Sequence, residues 1–154
     1  IHDWNMKNIF ELSLTREEAK TTIFSWLYNP DSKSITTDIY NRDILLEKWY
    51  ENGYISTPFG RKIAVERRKA FNYLIQSTTS DIVLDRAVKI DKMLEGTKSF
   101  VSHIVHDEIV LDMTDEDRRT IPEIKITFAN NSLDTYLVNL NAGKNYLDLN
   151  ELKL

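Results

Sequence analysis

Cysteine is absent from this 154-residue chain, which excludes disulfide staples and thiolate metal sites and is compatible with a reducing compartment. No apolar run approaches the length that a bilayer-spanning helix needs, so no membrane partner is expected. The N-terminus lacks a secretory pattern and opens on Ile1 instead of Met, so a fragment or a processed product is expected. Internal repeats and low-complexity linkers are missing too, which leaves one compact body around a core of ordinary size. Hydrophobic residues at 42% and charged residues at 29% give a soluble globular balance, not a disordered one.

Positive charge is outnumbered by negative, with 20 Lys and Arg against 24 Asp and Glu. A net charge of −4 argues against non-specific binding to nucleic acid. Its distribution argues the other way, because RKIAVERRKAFN, from Arg61 to Asn72, holds five basic residues against one acid. The compensating acids lie mostly elsewhere, at Asp31, Asp38, Asp43, Glu47 and the run Asp115-Glu116-Asp117. A polyanion feels the local patch within a Debye length and not the chain total.

The most telling stretch is Phe100 to Asp112, FVSHIVHDEIVLD. Val101, Ile104 and Val105 on one side and Ile109, Val110 and Leu111 on the other favour two extended strands. Between them stands His106-Asp107-Glu108, and carboxylates at a core edge are costly to desolvate. The pattern predicts a tight antiparallel turn that presents two carboxylates and an imidazole. A plain polar hairpin tip fits the same stretch.

Earlier in the chain, residues 1–14 carry Trp4, Ile9, Phe10, Leu12 and Leu14 and read as a short helix or docking segment. Thr15 with Glu18 is a capping-box pattern, and Pro30 follows, which bounds about three and a half turns of helix. Ala19, Ile23, Trp26 and Leu27 share one side and can face a core. Arg16, Lys20, Phe24 and Tyr28 recur every four residues along a neighbouring face. Two cations followed by two rings suit a nucleoside triphosphate, charge for the phosphates and an aromatic face for base or sugar. A plain amphipathic helix, with both rings in the core, fits the spacing as well.

Ile39, Leu45, Leu46, Trp49 and Tyr50 give a second helical stripe, closed by Gly53. GYISTPFGRK reads as two short strands about a turn with Pro58 and Gly60. Residues 66–72 look helical, Tyr73-Leu74-Ile75 breaks the pattern, and QSTTSD opens another helix. That helix buries Val83, Ala87, Ile90 and Leu94, pairs Asp85 with Lys89 outside, and stops at Gly96. Ile121, Ile124 and Phe128 suit a further helix, and TYLVNLNAGKNYLDL reads as a strand, a turn at Gly143 and a last extended piece.

Four of these segments, in this order, resemble family A DNA polymerases, the DNA polymerase I type. TREEAKTTIFSWLYN is similar to their Arg-x3-Lys-x3-Phe/Tyr-x3-Tyr-Gly fingers helix, and GYISTPFGRKIAV to a Gly-Tyr…Phe-Gly-Arg-Arg stretch. RRKAFNYLIQSTTSD resembles a palm motif of Arg, Asn and Gln, and IVHDEIVL the hairpin with the second catalytic aspartate. The resemblance covers nearly the whole chain. It implies an α+β fold, with fingers-type helices in a 1–56 subregion and part of a palm with a small antiparallel sheet in 57–154.

The resemblance also implies roles. Arg16 and Lys20 would contact the phosphates of an incoming dNTP, Phe24 would pack on its sugar and base, and Tyr28 would stack near the templating position. In this family a Phe at the position of Phe24 accompanies poorer acceptance of sugars lacking a 3′-hydroxyl. Arg68, Asn72 and Gln76 would touch primer–template DNA, and His106 would lie near the primer end. Asp107 would hold catalytic Mg²⁺ in a site of two ions roughly 3.5–4 Å apart, with Glu108 as an accessory carboxylate.

The chain departs from the family pattern at several positions. Asn29, Ser25 and Ser77 stand where Gly is usual, and Ile104 where Gln is common. Asn tolerates a left-handed backbone, so Asn29 could still end the helix in that conformation. The motif with the family's first metal-binding aspartate is not found, and Ile1-His2 resembles the stretch that follows it. The expectation is the C-terminal part of a template-directed DNA polymerase, inactive until an upstream fragment or chain supplies that aspartate. It would work inside a bacterial or virus-infected cell, near the nucleoid. The alternative is a non-catalytic remnant that binds nucleic acid or nucleotide, or scaffolds a partner. A hydrolase built on His106, Asp107 and Glu108 is a third option, without a second ligand cluster in view.

Overall fold

A computed structural model of the chain describes residues 2–11, 13–29, 32, 35 and 40–153. Ile1, Leu12, Pro30, Asp31, Asp38 and Ile39 lie outside the described residues, and with them the helix stop expected at Pro30. Helices and small antiparallel sheets make the chain α+β, as the sequence implies. Two compact units divide it, Ile1–Thr78 and Thr79–Leu154.

The first unit opens with α1 (His2–Asn8) and α2 (Arg16–Tyr28). The start of α2 follows from the capping box. Thr15 Oγ1 accepts from the Glu18 backbone N–H at 3.4 Å, and Glu18 Oε2 accepts from that of Thr15 at 2.9 Å. Ala19, Ile23 and Trp26 are the buried face of α2, and Ile9, Phe10, Tyr40 and Ile35 close over Ile23 and Trp26. Next come α3 (Arg42–Trp49), β1 (Tyr50–Glu51), β2 (Tyr54–Ser56) and β3 (Lys62–Ala64), the strands forming one antiparallel sheet. Gly53 does not close α3, which already ends at Trp49. Instead Asn52 (φ 50°) and Gly53 (φ 83°) form the two-residue link between β1 and β2. Positive φ at both positions is what a primed hairpin turn demands, and Asn-Gly is the pair that meets it best.

Helix α4 (Arg67–Leu94) runs for 28 residues without interruption, from the first unit into the second. The expected break at Tyr73–Ile75 and the new start at QSTTSD do not occur. Leu74 is the reason, because it continues the stripe of Ala70 and Phe71 and packs with them against Leu46 and Ile55. The segment contains no Gly or Pro, and β-branched residues lose only a few tenths of a kcal/mol each in a helix, which such burial outweighs.

In the second unit Val83, Ala87, Ile90 and Leu94 are buried as their spacing predicts, and Lys89 pairs with Asp85 at 3.4 Å. Strands β4 (Phe100–Val105) and β5 (Glu108–Asp112) pair antiparallel, and their apolar face rests with Ile90, Leu94 and Ile124. A 3-10 turn (Asp115–Thr120) leads into α5 (Ile121–Ala129). The expected C-terminal strand shrinks to β6 (Asn141–Ala142), paired with β7 (Asn150–Glu151). Leu137 is 95% exposed, so its side chain docks on no apolar surface before β6. Gly143 fits its bend because a Cβ there would fall 2.4 Å from the Asp148 carbonyl oxygen.

Asp117 closes the base of the β4–β5 hairpin. Its Oδ2 accepts from Ser99 Oγ (2.7 Å), Thr114 Oγ1 (2.9 Å) and the backbone N–H groups of Ser99 (3.2 Å) and Lys98 (3.3 Å). The Ser99 hydroxyl first, then Thr114 and the backbone donors, hold the Asp117 carboxyl below the usual carboxylate range. The folded unit therefore binds this proton less readily than the unfolded chain. The stabilisation is present above the unfolded value, near 3.8, and is lost as pH falls through the lower folded one. Asp117→Asn is expected to lower stability at neutral pH and to flatten the acid-side slope, read by urea unfolding from about pH 7 to pH 2. An unchanged slope would remove Asp117 from this role.

Candidate nucleotide and nucleic-acid site

Helix geometry sets Arg16, Lys20, Phe24 and Tyr28 one turn apart on α2. Phe24 and Tyr28 are each 38% exposed, so neither is a core residue. Their rings stack 5.9 Å apart at 17°, and Phe71 backs Tyr28 at 6.4 Å. Arg16 meets Asp3 at 3.4 Å and Glu17 at 3.1 Å; all three side chains are largely in water, so these pairs are weak. Lys20 has no ion pair among the described residues.

His2 joins this group from α1, which the motif reading does not anticipate. Its ring stands edge-on to Phe24 at 5.6 Å and 83°, and its Nδ1 is buried with no hydrogen-bond partner. A buried polar atom without a partner is expensive and marks a place where a ligand group could bind. Only a long-range contact reveals it. The short sequence Ile1-His2 carries no spacing signal toward Phe24.

The end of α2 departs from expectation. Asn29 has φ −113° and ψ 101°, an extended backbone, not a left-handed one. At the last turn Arg42 Nη1 donates to the carbonyls of Trp26 (2.7 Å) and Asn29 (3.1 Å), and the Ser32 backbone N–H also donates to the Asn29 carbonyl (3.0 Å). Glycine is not needed at that end because the backbone does not turn there.

Arg68, Asn72 and Gln76 follow one another on successive turns of α4, Arg68 and Gln76 exposed and Asn72 half-buried. Asn72 Oδ1 is buried without a partner. Arg61, Lys62, Arg67, Arg68 and Lys69 are all exposed, so the basic patch is a surface. Arg61 Nη2 also donates to the Ser77 carbonyl at 2.8 Å, tying the loop after β2 to α4.

His106, Asp107 and Glu108 lie in the second unit, at the tip of the β4–β5 hairpin. Val105 pairs with Glu108, which leaves His106-Asp107 as the two-residue link, and His106 takes φ 54°. Left-handed backbone is uncommon outside glycine, though histidine adopts it more readily than most. Asp107 is exposed, without a hydrogen bond or ion pair among the described residues, whereas Glu108 Oε2 accepts from the Tyr146 hydroxyl at 3.4 Å. Both carboxylates are the hard oxygen donors that Mg²⁺ prefers. They are not a full ligand set, and among the described residues no three His, Cys, Asp or Glu side chains gather as a metal site. No helix among the described residues is long and apolar enough to cross a membrane.

In the first unit the cation-and-ring ladder lies on α2, and in the second the exposed carboxylates lie on the β4–β5 hairpin. The model of DNA polymerase family A matches residues 1–148, and the chain belongs to that family. It is also similar to a DNA polymerase of Mycobacterium phage D29, 35% identical over 68 residues. That match takes in 42% of this chain but 11% of the phage protein, so the chain corresponds to a small part of that relative.

Proposed function

We propose that this chain is the C-terminal fingers-and-palm part of a template-directed DNA polymerase. It would act with a polypeptide segment, joined or separate, that carries the first metal-binding aspartate. The observation that carries the proposal is the ladder on α2: two cations ahead of two stacked, solvent-facing rings, in a chain of this family. Arg16 and Lys20 would meet dNTP phosphates, with Phe24 on sugar and base, His2 edge-on beside Phe24, and Tyr28 near the template. Arg68, Asn72 and Gln76 would lie along primer–template DNA, and His106 near the primer end.

Asp107, with Glu108 nearby, would give Mg²⁺ one carboxylate, with further oxygen ligands coming from the first-aspartate segment and the substrate phosphates. Mg²⁺ is commonly held by one or two carboxylates plus phosphates, not by an all-protein cage. When bound, the two ions would stabilise charge at the primer 3′-oxygen and at the leaving pyrophosphate. The chain's own task is positioning.

The test is single-nucleotide primer extension by the chain alone and by the chain mixed with, or fused behind, a polypeptide bearing the first-aspartate motif. Extension that needs both parts and Mg²⁺ is expected. Weak, steeply salt-dependent DNA binding, with no gain from the second polypeptide, would instead make the chain a non-catalytic nucleic-acid-binding remnant.

A further inference from the structure

We propose that Arg42 is a positioning residue for the ring end of the α2 ladder, an inference that rests on the nucleotide reading of that helix. Helix ends leave carbonyls without partners. Here the Asn29 backbone is extended and makes no left-handed turn, and the Arg42 guanidinium donates to the Trp26 and Asn29 carbonyls. Its positive charge also sits at the negative end of the helix dipole, the favourable sign for a cation. Arg42 is only 6% exposed, so the geometry is held by packing and not by a mobile surface arm.

The clamp extends to both sides. The guanidinium carbon stands 4.9 Å over the Trp26 ring, and Tyr40 approaches that ring at 6.4 Å. The Tyr40 hydroxyl donates to Asn5 Oδ1 at 2.8 Å, and Asn5 is buried in α1, the helix that brings His2 to Phe24. Asp43 flanks Arg42 at 3.3 Å. The belt from Arg42 through Trp26 and Tyr40 to Asn5 therefore sets where the last turn of α2, with Phe24 and Tyr28, lies. Arg16 and Lys20 sit at the other end of the helix, one to three turns away. Arg42 thus acts on the base-and-sugar end of the ladder and not on its phosphate end.

That polarity makes the inference testable on the full chain without catalysis. Binding of dGTP and of inorganic tripolyphosphate is measured by calorimetry for wild type, Arg42→Lys and Lys20→Ala. Lysine keeps the charge but lacks the planar guanidinium, whose Nη1 reaches both carbonyls while its carbon stands over the indole. Arg42→Lys is expected to weaken dGTP about tenfold, the scale of one lost ring–base stacking contact, and to leave tripolyphosphate within about twofold. Lys20→Ala should weaken both ligands alike. Arg86→Lys is the control, because Arg86, also 6% exposed, caps the end of α5 through the Thr127 and Asn130 carbonyls and should leave both ligands unchanged.

A dGTP affinity for Arg42→Lys within twofold of wild type, or an equal loss of tripolyphosphate, would overturn the positioning role. The nucleotide reading would stand in that case as long as Lys20→Ala weakens both ligands. No effect of Lys20→Ala, or no binding by wild type, would sink the nucleotide reading and Arg42 with it. Helix content is read alongside. Should Arg42→Lys lose helix, Arg42→Gln, which keeps an amide donor for one carbonyl, takes its place under the same criteria.

Discussion

Asp107→Asn is expected to reduce nucleotide addition by the complemented chain at least about a hundredfold, while leaving the fold and primer–template affinity intact. The size follows from what removal of one preorganised charged or polar group at a reacting centre does elsewhere, about two to three orders of magnitude. The selectivity follows from the position of Asp107. It is exposed at the second residue of a two-residue link, without a hydrogen bond or ion pair among the described residues, so the uncharged amide disturbs no packing. With Mg²⁺ left out of the binding assay, losing a negative charge near DNA should leave binding alone or strengthen it. Glu108→Gln should be milder, since Glu108 already shares an oxygen with the Tyr146 hydroxyl and is cast as the accessory group. Single-turnover extension with saturating dNTP reads the effect, and thermal unfolding reads the control. Full extension by Asp107→Asn would refute the assignment of this hairpin.

The hairpin was legible in the sequence because local signals there agree with the fold. Runs of β-branched residues flank a short polar link, and the strands end within a residue of where those runs end. The same holds for the start of α2, where Thr15 and Glu18 satisfy each other without help from the rest of the chain. What was not legible depends on distant partners. Nothing near Tyr73-Leu74-Ile75 announces that Leu74 will face Leu46 and Ile55, so a local break looks as reasonable as a continuous helix. An arginine between Asn41 and Asp43 reads as surface, and only the carbonyls of Trp26 and Asn29 explain why Arg42 is buried. Asn52-Gly53 is a different kind of miss. The hairpin signal is there, but a helical stripe running up to it makes the glycine look like a helix stop.

Ile90→Ala should remove about 3 kcal/mol from the second unit, a large share of what holds a domain of this size together. Ile90 is fully buried, with Leu94 and Ile124 as buried neighbours and Val101, Ile109 and Leu111 packed on the same cluster. Truncation strips three carbons from a site whose walls come from a helix and a hairpin, neither of which can collapse far into the gap. Trp4, Trp26 and Trp49 all belong to the first unit, so tryptophan fluorescence does not watch this event. Amide exchange in β4 and β5 does, and it should accelerate along both strands. A loss below about 1 kcal/mol would mean that the cluster does not support the hairpin as its packing indicates. The functional consequence separates two routes to the same defect. Asp107→Asn should remain inactive at every temperature, because the missing group is chemical. Ile90→Ala, complemented in the same assay, should recover extension on cooling toward the temperature of maximum stability, because Asp107 returns to its place whenever the strands beneath it are folded.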